Sequence, residues 1–232
     1  MRPTNKSSNA GAPEADRESV VLRDFIEDFY PLESLYQLTA PVRLPFFEKP
    51  AVELAQSLIG SVLLHGATAG TIVETEAYLG LDDLAAHAAK GLTERTKVLF
   101  GPPGRAYVYF IYGIHECLNV VAGGEGHAGC VLIRALAPLS GLRQMAARRS
   151  WNGPVCGLTN GPGKLTEALH ITRAQYGQRM DEGNLVIRRW LDPPAFEIGV
   201  TPRIGITKCV DWPLRYVWQG HSCLSKREKR AR

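Results

Sequence analysis

Hydrophobic positions along this chain change period more than once. Leu22, Phe25, Ile26 and Phe29 recur at helical spacing and predict an amphipathic helix within Val20 to Tyr36. A clearer helix runs from Pro50 to Ile59, with Pro50 suited to its first turn and Gly60 to its C-terminal stop. The pattern then shortens to period two. Ser61 to His65 reads as a strand, and after a Gly-containing turn a second strand carries Thr71-Ile72-Val73-Glu74-Thr75-Glu76-Ala77-Tyr78. Leu81 to Pro103 is a polar connection of folded loop and short helix. Arg105 to Tyr112, Glu116 to Ala122 and Gly129 to Ala135 read as three successive strands. A basic helix over Ser140 to Arg149, a loop over Trp151 to Gly163 and a short helix over Lys164 to Leu169 follow. Asn184 to Trp190 and Pro202 to Thr207 read as further strands. Strands adjoin one another and helices flank them, without regular β-α-β alternation. The pattern therefore predicts an α+β fold around a mostly antiparallel sheet.

Alternation puts Glu74, Glu76 and Tyr78 on one face of their strand and Val73, Thr75 and Ala77 on the other. Two carboxylates on a core-facing surface are costly to bury, so that face is expected to meet solvent or to line a wet cleft. Tyr107 and Tyr109 share a face of a later strand, and Tyr112 sits at the turn before Gly113. Such a pattern suits a pocket that stacks a flat heterocycle and does proton chemistry beside it. It also suits a half-exposed sheet whose tyrosines pack their rings and wet their hydroxyls, and patterning alone favours that second reading.

Bulk properties narrow the field modestly. The chain has 232 residues, 45% of them hydrophobic, which suits one ordinary domain with tails. No apolar run is long enough to span a bilayer. Met1 to Ser19 is polar, lacks the apolar core of a secretory signal, and reads as disordered. A formal charge of +4 is compatible with nucleic acid without requiring it. The tail Lys226-Arg227-Glu228-Lys229-Arg230-Ala231-Arg232 suits salt-sensitive phosphate contacts and, equally, a solvated end. Cys117, Cys130, Cys156, Cys209 and Cys223 form no Cys-x-x-Cys pair and read as buried free thiols of a reducing cytosol. A zinc or iron–sulfur site lacks its paired spacing.

Several motifs fail on context. Gly124-Glu125-Gly126-His127-Ala128-Gly129 fits G-x-G-x-x-G, but a strand follows it where a dinucleotide site needs a helix, so it reads as a hairpin loop. Gly163-Lys164 resembles the end of a phosphate loop, yet Leu158 and Leu165 occupy two of its required positions. No G-x-S-x-G elbow is present. Glu76, Asp82, Asp83 and His87 have the donor chemistry for a hard metal without a spacing that fixes their geometry.

Five ordered blocks carry more information. They are Val73-Glu74-Thr75-Glu76-Ala77-Tyr78-Leu79-Gly80 with Ala86-His87, and Tyr107-Val108-Tyr109-Phe110-Ile111-Tyr112-Gly113 with Cys117 and Asn119. Next come Cys130-Val131-Leu132-Ile133-Arg134-Ala135-Leu136, then Gly161-Pro162-Gly163-Lys164-Leu165. The last is Pro202-Arg203-Ile204-Gly205-Ile206 with Pro213-Leu214-Arg215. From about Leu44 to about Ser225 the chain resembles the alkyladenine (3-methyladenine) DNA glycosylase family. It departs from the family's Thr-Pro-Arg-Asn and Met-Phe pattern at Glu94, Thr96 and Leu99, and Val217 to Cys223 is also unusual.

The resemblance implies one compact domain over residues 37–225 around a curved antiparallel sheet. Residues 1–36, without a family counterpart, form an extension, and residues 226–232 a basic tail. It implies a base-excision repair enzyme that binds double-stranded DNA and flips out an alkylated or deaminated purine of the 3-methyladenine, hypoxanthine or ethenoadenine class. Water would then cleave the N-glycosidic bond and leave an abasic site. Glu76 matches the water-activating base, and Arg134 matches the residue that helps hold the water and keep Glu76 ionised. Tyr78 and Tyr109 match the rings that sandwich the base, with His87 completing the pocket. A ring face favours a cation, which would select cationic alkylated purines. Asn119 matches a steric filter against the 2-amino group of guanine, Ile204 a backbone position near the water, and Tyr112 the wedge that fills the vacated stack. Glu74 is expected to be structural, bonding loop backbone.

No lysine falls on a matched catalytic position, so a monofunctional enzyme without lyase activity is expected. No cofactor, metal or membrane partner is implied, and a monomer in the cytoplasm or nucleoid of a bacterium is expected. Two rivals stand beside this reading. One is a non-catalytic nucleic-acid-binding module on the same scaffold, which has no use for Glu76 with Arg134. The other is a metal-dependent hydrolase using Glu74, Glu76, Asp83 and His87.

Overall fold

The computed structural model describes residues 29–111, 113 and 115–225. Most of the expected first helix, the wedge position Tyr112 and the basic tail lie outside the described residues. The described part holds four α-helices, α1 (Leu32–Leu38), α2 (Ala51–Leu58), α3 (Leu142–Arg148) and α4 (Pro162–Leu169). It holds nine strands, β1 (Thr39–Pro41), β2 (Val62–His65), β3 (Thr68–Tyr78), β4 (Ala106–Ile111) and β5 (His115–Ala122), then β6 (Gly129–Ser140), β7 (Leu185–Trp190), β8 (Ile198–Thr201) and β9 (Arg215–Trp218).

All nine strands join one antiparallel sheet, in the order β1-β7-β2-β3-β6-β5-β4. β9 pairs with the outer part of β3, and β8 pairs with β9. This is the α+β architecture that the strand-rich pattern predicts. β3 is its spine. Thr68 to Thr71 pair with β2, Glu74 to Glu76 pair with β9, and β6 runs along the opposite edge. A strand bordered on both edges and covered on both faces is buried throughout, from Thr68 to Ala77.

One face of β3 serves the core. Val73 and Ala77 join the main hydrophobic cluster, and the Thr75 hydroxyl donates to the Ala55 carbonyl of α2 at 2.9 Å. α2 supplies Leu54, Ala55 and Leu58 to the same cluster, because positions i, i+1 and i+4 share a helix face. Its end is fixed by Gly60, at φ +81 and with the Phe196 ring 2.7 Å from where a Cβ would stand. The opposite face of β3 carries Glu74, Glu76 and Tyr78. The pairing with β6 shifts register on either side of Glu74. Such a bulge re-aims side chains locally and is favoured beside functional sites.

Three sequence expectations change. Pro202 to Thr207 is loop; the strand is β8, immediately before it. Pro202 lacks the backbone donor that a ladder needs, so the strand stops at Thr201. β6 continues past Ala135 to Ser140, because Pro138 pairs with Gly70 at a register shift that tolerates it. The cysteines are not all free: Cys156 and Cys223 form a disulfide across a sequence separation of 67. Sequence spacing carries no sign of a pairing that the fold brings together at that distance. Cys117 and Cys130 are buried free thiols as expected, and Cys209 is free and partly exposed. The Gly124–Gly129 stretch is the turn between β5 and β6, as its context indicated.

Candidate active-site cleft

A cleft of about 660 Å³ opens where the outer ends of β3 to β6 meet the loop after β8. Tyr78, His87, Tyr109, Asn119, Arg134 and Ile204 all line it. The structure thus assembles six candidates from four of the five sequence blocks. Glu76 lies behind this lining, with 0% of its surface exposed, and meets the cleft through its hydrogen-bond partners.

Those partners are specific. Glu76 Oε1 accepts the Ile204 backbone N–H at 2.7 Å. Glu76 Oε2 accepts the Tyr78 hydroxyl at 3.0 Å and an Arg134 Nη1–H at 3.2 Å. Burial raises the Glu76 carboxyl above its ordinary range, against the opposing pull of Arg134, Ile204 and Tyr78. A carboxylate has about four acceptor positions and these bonds use three. By that count the carboxylate can accept one further hydrogen bond.

Arg134 also ties Glu76 to Glu74. Its Nε donates to Glu74 Oε1 at 3.1 Å. Glu74 Oε1 also accepts from Arg215 Nε at 2.8 Å and the Ser225 hydroxyl at 2.7 Å, while Oε2 accepts the Ser225 N–H at 2.6 Å. The two carboxylates are therefore neither solvated nor in an open cleft, as alternation alone suggested. Two arginines and loop donors make their burial tolerable.

The aromatic wall is equally defined. The ring centroids of Tyr107 and Tyr109 lie 5.3 Å apart, as neighbours on one strand face should. Tyr107 is fully buried and its hydroxyl meets His87 Nδ1 at 2.8 Å. His87 packs edge-on to Tyr109 with centroids 4.5 Å apart. Burial, reinforced by Arg95 and Lys90, lowers the His87 pKa to about 4, so the imidazole is neutral near pH 7. Asn119 is held by its amide N–H to the Tyr107 carbonyl at 3.2 Å. Gly80 turns the chain after β3 at φ +93, where a Cβ would stand 2.4 Å from the His127 carbonyl oxygen. That turn carries the chain toward His87.

Sequence reasoning missed the second arginine layer. Arg203, inside the fifth block, forms a buried two-pronged pair with Asp83 and donates to the Ala77 carbonyl at 3.0 Å. Its guanidinium lies 4.6 Å from the Tyr78 ring centroid. Asp83 is thereby engaged by Arg203 and by the backbone of Leu79 and Ala85. Among the described residues no group of three or more His, Cys, Asp or Glu side chains is arranged to hold a metal ion. No helix among them is long and apolar enough to cross a membrane. The atypical Thr96 also has a structural role. It exchanges hydroxyl and backbone hydrogen bonds with Thr93 and donates to the Gly91 carbonyl at 2.9 Å, while Leu99 packs under the aromatic wall.

Comparison with known proteins places this chain among the DNA N-glycosylases, hydrolases of DNA repair that act on DNA. More closely, residues 45–222 match the model of the methylpurine-DNA glycosylase family, and the chain belongs to that family. A relative from Methanoculleus marisnigri is 47% identical over 188 residues, covering 78% of this chain and 97% of the relative. One from Koribacter versatilis is 48% identical over 202 residues, covering 84% and 97%. One from Rhodopseudomonas palustris is 49% identical over 181 residues, covering 78% and 86%. Each carries the name "Putative 3-methyladenine DNA glycosylase".

Proposed function

We propose that this enzyme extrudes an alkylated or deaminated purine from duplex DNA into the cleft and hydrolyses its N-glycosidic bond with a water activated by Glu76. The single observation that carries the reading is the buried Glu76 carboxylate, set behind the stacking tyrosines and held by three donors, Tyr78, Arg134 and Ile204, that themselves line the cleft. Extrusion costs roughly a few kcal/mol, and stacking on an aromatic ring returns roughly 1–3 kcal/mol per base. Tyr78 and Tyr109 therefore carry a term large enough to decide whether a damaged base stays in the cleft.

The transition state resembles an oxocarbenium ion at the sugar. Glu76 takes a proton from the attacking water and its negative charge stabilises the developing cation. Arg134 holds Glu76 in its ionised form and in place. The Ile204 N–H fixes the other carboxylate oxygen. Neutral His87 and the amide of Asn119 border the base, Asn119 excluding guanine's 2-amino group. Tyr112 fills the vacated stack. No lysine takes part, so the product is an intact abasic site and the enzyme lacks lyase activity. This reading takes residues 37–225 as the catalytic unit of a monomer that works in the cytoplasm at the nucleoid.

The test is excision from duplex oligonucleotides carrying hypoxanthine or ethenoadenine in EDTA, with wild type beside Glu76→Gln. Alkali-labile abasic sites from wild type alone, without borohydride trapping of a covalent adduct, are expected. Binding without excision by either protein, on these and on methylated DNA, would overturn the reading.

A further inference from the structure

Tyr78 and Tyr109, two of the tyrosines that line the cleft, share an unassigned feature: each has an arginine against its ring. The Arg203 guanidinium lies 4.6 Å from the Tyr78 centroid and that of Arg95 lies 5.0 Å from the Tyr109 centroid. Neither arginine lines the cleft. Arg203 has no exposed side-chain surface and is fixed by Asp83. Arg95 lines a separate shallow groove, which Tyr109 divides from the cleft. Both cations therefore lie against the rings from outside the set of residues that line the cleft.

A ring binds a cation through the negative potential on its faces. A guanidinium on one face draws that potential toward itself and leaves the other face less attractive to a second cation. The same polarisation leaves stacking with a neutral heterocycle intact. Arg95 also adds plain repulsion, since no carboxylate is paired with it among the described residues. His87, the third wall of the pocket, is neutral and adds no compensating negative charge.

Resting on the glycosylase reading, we propose that Arg95 and Arg203 are specificity-determining residues that bias the tyrosine sandwich toward neutral purine lesions and against cationic N-alkylated ones. This reverses the selectivity that bare tyrosine faces would give. The pair is asymmetric. Asp83 neutralises Arg203, whereas Arg95 keeps its charge, so Arg95 carries the adjustable part of the bias. Arg95 is exposed, and its replacement leaves no buried charge behind.

The experiment compares single-turnover excision of hypoxanthine, a neutral base, with release of methylpurines from methylated duplex DNA, where the glycosylated bases are cationic. Wild type, Arg95→Met and Arg95→Lys are run at pH 8, with spontaneous release subtracted and melting temperatures recorded. In Arg95→Met the neutral-to-cationic rate ratio should fall by about two- to fivefold, the range of an exposed cation–π contact. Arg95→Lys should restore most of the ratio, since it keeps the charge. Equal loss on both substrates would make Arg95 a phosphate contact or a structural residue and overturn the proposal. So would a ratio that rises, or a lysine variant that behaves like methionine. Wild type inactive on both substrates would sink the glycosylase reading itself, a result distinct from wild-type activity with an unchanged ratio.

Discussion

Glu74 and Glu76 stand two residues apart on β3, point to the same face and are equally shut from solvent, yet their surroundings differ in kind. Glu74 is the more heavily bonded. Arg134, Arg215 and the Ser225 hydroxyl crowd Oε1, the Ser225 N–H meets Oε2, and Ser225 brings the C-terminal loop to it. Glu76 has one arginine, one hydroxyl and one backbone N–H, and its partners are themselves the lining of the cleft. Burial sets the cost of a carboxylate, and the number and origin of its donors decide whether it braces the fold or remains able to react. Arg134 joins the two sites, so one guanidinium serves structure through Nε and the site through Nη1.

The comparison breaks first at Glu76. Glu76→Gln keeps shape and burial but loses the base, and excision should fall by about 10²–10⁴-fold in single-turnover assays, the usual contribution of a general base. Glu74→Ala should act on stability instead. It removes the carboxylate shared by two buried guanidinium groups, and its loss should cost about 3–5 kcal/mol in urea unfolding. A smaller effect comes from the clasp beside Ser225. Reducing the Cys156–Cys223 bond, or replacing Cys223 with Ser, should lower stability by about 2–4 kcal/mol and loosen the cage of Glu74 more than that of Glu76.

Proton linkage sharpens the contrast further. On the proposed mechanism the ionised form of Glu76 is the active one, and burial raises its pKa above the ordinary 4.5. The kcat/KM of wild type should therefore rise with pH through a limb displaced upward from the usual carboxylate range. Arg134 pulls that pKa down, so Arg134→Gln should move the limb higher still. The smallest effect belongs to His87. Its pKa is about 4 folded against 6.5 ordinarily, so between those values the unfolded chain binds more protons. Stability should fall as pH drops through that window, and His87→Gln should flatten this part of the profile.

Much of this was legible in the sequence, for local reasons. Alternation correctly grouped Glu74, Glu76 and Tyr78, because a side-chain period of two survives even a bulged strand. The same rule paired Tyr107 with Tyr109. The ordered blocks brought in His87, Asn119, Arg134 and Ile204, whose approach across distant stretches no periodicity reveals. What stayed hidden was tertiary. Ser225 reaches Glu74 across 151 positions, Arg203 reaches Asp83 across 120, and Cys156 meets Cys223 across 67. Local pattern could mark one partner, as it marked Glu74 for loop backbone, but not the distant residue that meets it. The full burial of both carboxylates was equally invisible, since it rests on arginines from β6 and β9 that arrive by sheet pairing.

The most direct measurement places Glu76→Gln and Glu74→Gln side by side, each assayed for hypoxanthine excision in EDTA and for melting temperature. The account predicts a Glu76→Gln protein that melts near wild type and makes no abasic sites, and a Glu74→Gln protein that melts earlier yet still excises below its transition. Excision by Glu76→Gln at the wild-type rate, or a well-folded Glu74→Gln with no activity beside an active Glu76→Gln, would contradict it.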